Sequence, residues 1–414
     1  MLSSRLPKDL SPSPFFAELE RVKAEVRAEC QQAEKNSADV LPFIDMTVSS
    51  PVLFKGNAGE ASLSMDLGTA VEKSQPLFGN WNPDAAGWKS TREVVAEYYR
   101  ERGGNFSFEE IILTASTSEA YSILFKVFCE PGDVILTPMP GYPLLDTLAQ
   151  LEHLECAPYF LKLRRERPFR FVLDTDSLLT APERAKILLL VSPHNPTGHC
   201  VSRTEWNEVV AFCEKNHLIL VVDEVFGDYG FSDDVRRTWE YLGQKQEMPK
   251  CPIFWLNGLS KAVGSPQLKL GWMAFYAPHE KFEEIRAALE FVEDAYLSVS
   301  APAQALGASL LKQSAAYEAK ILERLKENWK TLRETFPSKY CPEVLGGWYA
   351  AIRLGEDDEE ITLRLLREKH VLVQPGFFFD FDEDGWVVVS LLQTPELFKD
   401  AVCRITAQEH PRRS

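Results

Sequence analysis

The stretch IFWLNGLSKAVGSPQLKLGW, from Ile253 to Trp272, decides how the chain is read. Ile253 to Leu256 is an apolar, aromatic run that suits a buried strand, and it leads into a turn carrying Gly258, Ser260 and Lys261. After a loop broken by Gly264 and Pro266, a second lysine, Lys269, opens another apolar run. A lysine delivered by a strand end into a protected turn is partly desolvated. That disfavours the ammonium and leaves an amine able to attack a carbonyl carbon, as in Schiff-base chemistry. The local pattern alone fits a solvated loop lysine equally well.

Outward from this stretch, apolar runs alternate with helical spacing. The pattern predicts strands at Ile111–Thr114, Val134–Thr137, Ile187–Val191, Leu218–Val222, Ile253–Leu256 and Trp272–Tyr276, the alternation of a doubly wound α/β lobe. Ligands of such sheets sit beyond the carboxyl ends of the strands. Four strings fall at or near such ends: TASTSEA (Thr114–Ala120), PGYP (Pro140–Pro143), HNPTG (His194–Gly198) and DEVF (Asp223–Phe226). Ser116 and Thr117 open a helix, where free N–H groups and the helix dipole favour an anion, although a plain N-cap is the simpler alternative. Tyr142 offers a flat face for a flat heterocycle, or is a turn tyrosine. Asn195 projects an amide toward a strand end. Asp223 ends the run LILVV, where a carboxylate is costly to bury without a partner, and Glu224 points the other way by strand alternation. His194 and His199 have no acid or nucleophile beside them in the sequence and read as loop residues.

The 414 residues, 45% of them hydrophobic, can bury a large core and favour two lobes. A net charge of -16 argues against nucleic acid and membrane surfaces, which call for clustered Lys and Arg, and favours small-molecule partners. The eight cysteines form no C-x-x-C pair and no metal-ligand spacing, so reduced thiols, a cytoplasmic setting and no metal are expected. No apolar run is long enough to span a bilayer, and Met1–Ser13 lacks a signal-peptide core.

An amphipathic helix is expected over Pro14–Lys35, followed by PFIDMTVSSP (Pro42–Pro51), an extended run suited to a loop entering a cleft. Ser90–Arg100 reads as a helix with Ser90 and Glu93 spaced as a capping box. Beyond Pro278 come long charged helices, including Glu280–Tyr296 and Ala315–Glu334. GGWYAAIRL, VLVQPGFFF and WVVVSLL then read as strands of a smaller α+β lobe. The expected partition is 1–60 (N-terminal helix and active-site segment, part of the small lobe), 61–284 (large lobe) and 285–414 (small lobe).

With QPGFFF (Gln374–Phe379) added, these strings stand in order around Lys261, and the lysine stretch resembles the Ser-x-Ser-Lys…Gly…Arg-x-Gly-Trp signature of the fold-type I, pyridoxal-phosphate-dependent aminotransferases of class I/II, in a divergent branch. The resemblance covers nearly the whole chain. It implies a fold-type I transferase, a large doubly wound mixed-sheet lobe plus a smaller α+β lobe, binding pyridoxal 5'-phosphate as an internal aldimine on Lys261. It implies movement of an amino group from an amino donor to a keto acid, in a homodimer. By the same resemblance Ser116 and Thr117 hold the cofactor phosphate, Tyr142 stacks on the ring, Asn195 meets the phenolic oxygen, Asp223 pairs with the ring nitrogen, and Ser49 touches substrate.

The chain also departs from that pattern. Trp81 stands where relatives have a tyrosine that reaches the neighbouring subunit's phosphate, and Phe226 replaces a tyrosine bonding the phenolic oxygen. Gly258 replaces a hydroxyl residue, and Lys269 replaces an arginine, neutralising phosphate without a two-pronged grip. Val388 takes the place of the arginine that binds the substrate's α-carboxylate, which leaves Arg353 as the small-lobe candidate for that anion. The expectation is therefore a donor preference unlike that of a standard aspartate or aromatic aminotransferase, with weak saturation by simple α-amino acids, and with amines lacking an α-carboxylate worth including. A lyase or decarboxylase on the same scaffold and a non-catalytic relative are the rival readings.

Overall fold

The computed structural model describes residues 3, 5–7, 9–35, 41–51, 67–79, 83–164, 166–244, 248–297, 299–355 and 357–406. Its strands are, in chain order, β1 (Ile44–Asp45), β2 (Ile111–Thr114), β3 (Val134–Met139), β4 (Glu155–Arg164), β5 (Arg170–Leu173), β6 (Ala185–Val191), β7 (Ile219–Asp223), β8 (Ile253–Gly258), β9 (Gly271–Tyr276), β10 (Tyr349–Arg353), β11 (Val371–Leu372), β12 (Gln374–Pro375) and β13 (Trp386–Ser390). Eight of them form one mixed sheet in the order β2-β9-β8-β7-β6-β3-β4-β5. The run β8-β7-β6-β3-β4 is parallel, whereas β9 is antiparallel to both of its neighbours and β5 is antiparallel to β4.

The continuous hydrophobicity of the central strands follows from their place in this sheet, because both faces are covered. In β8, Ile253 and Trp255 join one core while Phe254 and Leu256 join a second. Leu220 and Val222 of β7 face the first core and Val221 the second, and β9 divides in the same way between Trp272 and Ala274 on one face and Met273 and Phe275 on the other. Register then lines up the strand ends. Val191 is opposite Asp223, Asp223 opposite Leu256, and Gly271 opposite both Gly258 and Thr114. One edge of the sheet thus presents, side by side, the segments that follow β6, β7 and β8, the start of β9 and the end of β2.

A second, three-stranded antiparallel sheet has the order β10-β13-β12, and β1 pairs in parallel with β11. The amphipathic helix Pro14–Lys35 forms over the expected residues and buries Phe15, Leu19, Val22, Val26 and Cys30 against Leu366 and Leu372. The capping box at Ser90 does not form. The helix runs Lys89–Arg100 with Trp88 as N-cap, so Ser90 lies inside it. A remote side chain satisfies this entry instead, the Trp88 N–H donating to Gln304 Oε1 at 2.6 Å. Among the described residues, no helix is long and apolar enough to cross a membrane.

Candidate active site

Beyond the aligned strand ends lies a cleft of about 420 Å³, within the usual range for small-molecule sites, roughly 300–1,000 Å³. Lys261 occupies its floor on the helical turn Leu259–Ala262, immediately after β8. Its Nζ donates to the Ser49 carbonyl at 3.0 Å and lies 4.6 Å from the Trp348 ring centroid and 5.3 Å from that of Phe226. Burial pushes the amine down from the ordinary lysine range to about 8, the Asp223 carboxylate opposing this shift. A sizeable fraction of neutral, nucleophilic amine is therefore present near neutral pH.

Asp223, at the end of β7, accepts from the Tyr121 hydroxyl at 2.8 Å and from the Val225 N–H at 3.1 Å. Burial raises its carboxyl above the usual range, against the lowering effect of those two bonds and of Lys261. Asn195, on the turn after β6, lines the same cleft with its side-chain oxygen buried and without a hydrogen-bond partner. A buried polar atom left alone costs about 1–3 kcal/mol, so this amide fits a bound polar group.

Ser116 caps the helix Thr117–Phe128, its hydroxyl accepting from the Glu119 N–H at 3.2 Å. This is an N-cap in which the hydroxyl accepts, and its O–H can still donate. The N–H groups of Thr117 and Ser118, both cleft residues, can join it toward an anion. Ser116→Ala is expected to lower stability by about 1 kcal/mol, read as a shift of the urea unfolding midpoint in cofactor-free protein; an unchanged midpoint would contradict the cap's contribution.

Tyr142 lines the cleft and is 47% exposed, so part of its ring is open for stacking. Gly141 beside it is required by close approach, since a Cβ there would meet the Pro138 carbonyl oxygen at 2.2 Å. Its N–H donates to the Phe379 carbonyl at 2.8 Å, so PGYP and QPGFFF, far apart in the chain, are tied together. Phe226 is buried against Trp348 and Tyr349, with ring centroids 5.4 and 6.0 Å away. Lys269 is an exposed cleft residue in the left-handed region, φ 51°. Gly258 has little space for a hydroxyl side chain, because a Cβ would lie 3.1 Å from both the Gly271 Cα and the Leu270 carbonyl oxygen.

The structure does not bring Val388 or Arg353 to the cleft. Val388 is completely buried in the middle of β13, between Ala351 and Gln374 on the flanking strands, and is a core residue. Arg353 lies four residues along β10 from the cleft residue Tyr349, about 13 Å at strand rise, and forms an ion pair with Glu383. Trp81 is outside the described residues. His194 and His199 are not free loop residues either. Both are buried beneath the Asn195 turn, His194 Nδ1 2.9 Å from Thr197 Oγ1 and His199 Nε2 3.1 Å from Glu205 Oε1.

Some groups at the cleft or beside Lys261 are absent from the sequence-based set: Tyr121, Tyr349, the Ser49 carbonyl in its role as acceptor, and Trp348, which is buried behind the lining. Tyr121 had a signal, lying one helical turn after Thr117 on the same helix face. Trp348 and Tyr349 follow the Gly346-Gly347 pair at the start of β10, where a strand leaves a turn.

Against this geometry, the profile of the family described as "Aminotransferase class I and II" matches residues 80–405. The chain belongs to that family. This aminotransferase is 26% identical over 374 residues to the tyrosine aminotransferase of Bos taurus, covering 87% of this chain and 80% of that protein. It is also 26% identical over 381 residues to the alanine aminotransferase of Mycobacterium tuberculosis, covering 88% and 85%. Among solved structures, the alanine aminotransferase of Pyrococcus furiosus superposes with a TM-score of 0.77 at 21% identity, covering 95% of this chain and 98% of that one. A Thermus thermophilus aspartate aminotransferase variant gives 0.76 at 21% identity, covering 98% of each chain. These superpositions establish the fold-type I architecture. The lyase reading has no support in any of them, and amino-group transfer is the activity of the family.

Proposed function

We propose that this aminotransferase uses pyridoxal 5'-phosphate held on Lys261, and that it acts on amino donors with aromatic or apolar side chains. The observation that supports the first part most is the convergence on one cleft of a desolvated lysine amine, a buried carboxylate and an unpartnered buried amide oxygen, each from a different strand end. The residues present fit the cofactor. Ser116, the Thr117 and Ser118 N–H groups and Lys269 suit its phosphate, the Tyr142 ring its aromatic face, the Asn195 Nδ2, as donor, its phenolic oxygen and Asp223 its ring nitrogen. When bound, the group supplies an electron sink for charge developing at the donor's α-carbon.

The rest of the chemistry falls to the protein. Asp223, half-buried at the cleft and fixed by Tyr121 and the Val225 N–H, holds a positive ring nitrogen by charge. Once the donor's amine had displaced it, the Lys261 Nζ would be a free amine beside the donor carbon, able to take a proton there and give it back, with a pKa that burial holds below the ordinary lysine range. The Trp348 and Phe226 rings flank that amine and limit its path. The reading also carries a homodimer, cytoplasmic location and small-molecule donor and acceptor, supported by the family and by the net charge of -16.

The donor class follows from the cleft wall. Tyr142, Phe226 and Tyr349 supply aromatic surface, and among the described residues lining the cleft the only cations are Lys261 and Lys269. With Lys261 engaged in chemistry and Lys269 near the anion-binding helix end, an acidic donor side chain would lack a charged partner, a deficit of about 1.5–3 kcal/mol. Aromatic and apolar donors, including amines without an α-carboxylate, are therefore expected to exceed aspartate in kcat/KM by at least about 10-fold. A donor screen against several keto acids, read by mass spectrometry, tests this; aspartate as the best donor would overturn it.

A further inference from the structure

Tyr229 lies three residues beyond Phe226, completely buried and outside the cleft lining. Its hydroxyl donates to the main-chain carbonyl of Lys261 at 2.7 Å. Its ring meets Trp348 edge-on, centroids 5.2 Å apart, so it backs the same indole that flanks the Lys261 amine. Its main chain is pinned in turn: the Tyr229 N–H donates to the Phe226 carbonyl at 2.9 Å, and the Gly347 N–H donates to the Tyr229 carbonyl at 3.0 Å.

The start of the lysine turn is held separately. The Gly258 N–H donates to Asn257 Oδ1 at 2.7 Å, and Asn257 Nδ2 donates to the Tyr98 hydroxyl at 3.2 Å. Tyr98 donates onward to Asp228. That carboxylate also accepts from Arg102 Nε at 3.0 Å and from Arg237 Nε and Nη2 at 2.9 and 2.7 Å. Arg102 continues to Ser314 at 2.9 Å and to Glu318 at 2.7 Å. The adjacent residues Asp228 and Tyr229 therefore reach both ends of the turn that carries Lys261.

A four-residue turn cannot hold itself. The Val263 and Ser265 N–H groups donate to the Leu259 carbonyl at 3.2 and 3.0 Å, and the Leu259 N–H donates to the Leu270 carbonyl at 3.0 Å. These bonds all fall on Leu259 and leave the Lys261 peptide unheld, and a single turn is far below the length at which a helix is stable alone. The Lys261 carbonyl belongs to the set a helix end leaves without an internal donor. Tyr229 supplies that donor from outside.

We infer that Tyr229 is a positioning residue for Lys261, its hydroxyl fixing the peptide that aims the amine between Trp348 and Phe226, with the Asp228 cluster anchoring the other end of the turn. This rests on the role of Lys261 in the proposed function. Tyr229→Phe keeps the ring and its packing but leaves the carbonyl without its donor, so the turn rocks and the amine is displaced. Small misplacements of a reacting group cost rate, and donor contacts elsewhere in the cleft are untouched.

The test is Tyr229→Phe with two readouts. Turnover should fall by about 10-fold or more with donor KM unchanged. In cofactor-free protein near neutral pH, Lys261 should be reductively methylated more slowly than in wild type, relative to surface lysines in the same digest, because a displaced amine regains water and its proton. Wild-type kcat together with a wild-type labelling rate overturns the inference, even if the melting temperature drops. Should Tyr229→Phe fail to fold, Tyr98→Phe carries the test through the other anchor. It is expected to move both readouts in the same direction, and unchanged values overturn the inference. Wild-type protein that cannot be trapped by borohydride at Lys261 would instead count against the proposed function, because the labelling comparison involves no cofactor.

Discussion

Lys261→Ala is expected to reduce turnover by at least about 10³-fold, within the range that positioned acid–base groups contribute, while the protein stays folded. On the proposed function two tasks are lost together, attachment of the carbonyl-bearing cofactor and proton transfer at the donor carbon. The fold should survive because the side chain reaches out of the turn into the cleft, where its Nζ meets a carbonyl oxygen and two ring faces rather than a hydrophobic layer. The neighbours that hold the turn, Asn257 and Tyr229, bond to main-chain atoms that alanine also has. Steady-state kinetics with the best donor from the screen, alongside circular dichroism, checks this; undiminished turnover would remove Lys261 from the reaction.

The second large effect belongs to Asp223→Asn, for which kcat should fall about 10²–10³-fold, as when one preorganised electrostatic group is removed. Asparagine fills the same volume; its Oδ1 can still accept from the Val225 N–H, while its Nδ2 can only donate to the Tyr121 hydroxyl, so the loss is the charge together with the reversal of one hydrogen bond. A neutral partner no longer favours a positive ring nitrogen, and the electron sink weakens. The carboxylate also raises the Lys261 pKa against the effect of burial, so its removal takes that amine below about 8. The pH midpoint of Lys261 labelling in cofactor-free protein should therefore move down in the variant. A near-wild-type kcat together with an unmoved midpoint would reduce Asp223 to a structural carboxylate.

The central strands were legible because a strand covered on both faces must be apolar at every position, and runs such as those around Ile253 and Leu188 leave no other reading. Strands β4 and β5 went unseen for the converse reason. β4 lies toward the sheet edge, buries only Tyr159 and Leu161, and has a proline inside it and charges at its ends, Glu155, Lys162 and Arg164. The direction of β9 was also hidden, since hydrophobic periodicity is the same for parallel and antiparallel strands. At the site, Lys261, Asp223 and Asn195 could be found because each follows a strand end and each is a costly residue in such a place. The Ser49 carbonyl could not be identified as the acceptor for Lys261, because any residue type supplies the same oxygen. The His199–Glu205 pair was missed because Glu205 is recruited from the next helix, where it serves a capping box with Ser202. Val388 and Arg353 were reached by resemblance, which says nothing of where an altered side chain goes: Val388 is buried in β13 and Arg353 is paired with Glu383.

Borohydride trapping of the wild-type protein after incubation with pyridoxal 5'-phosphate, followed by peptide mass mapping, tests the central claim most directly. The expected result is a single added mass corresponding to the reduced pyridoxyl phosphate group, on the peptide containing Lys261 and absent from Lys261→Ala. No added mass, or an added mass confined to Lys269 or to surface lysines, would contradict it.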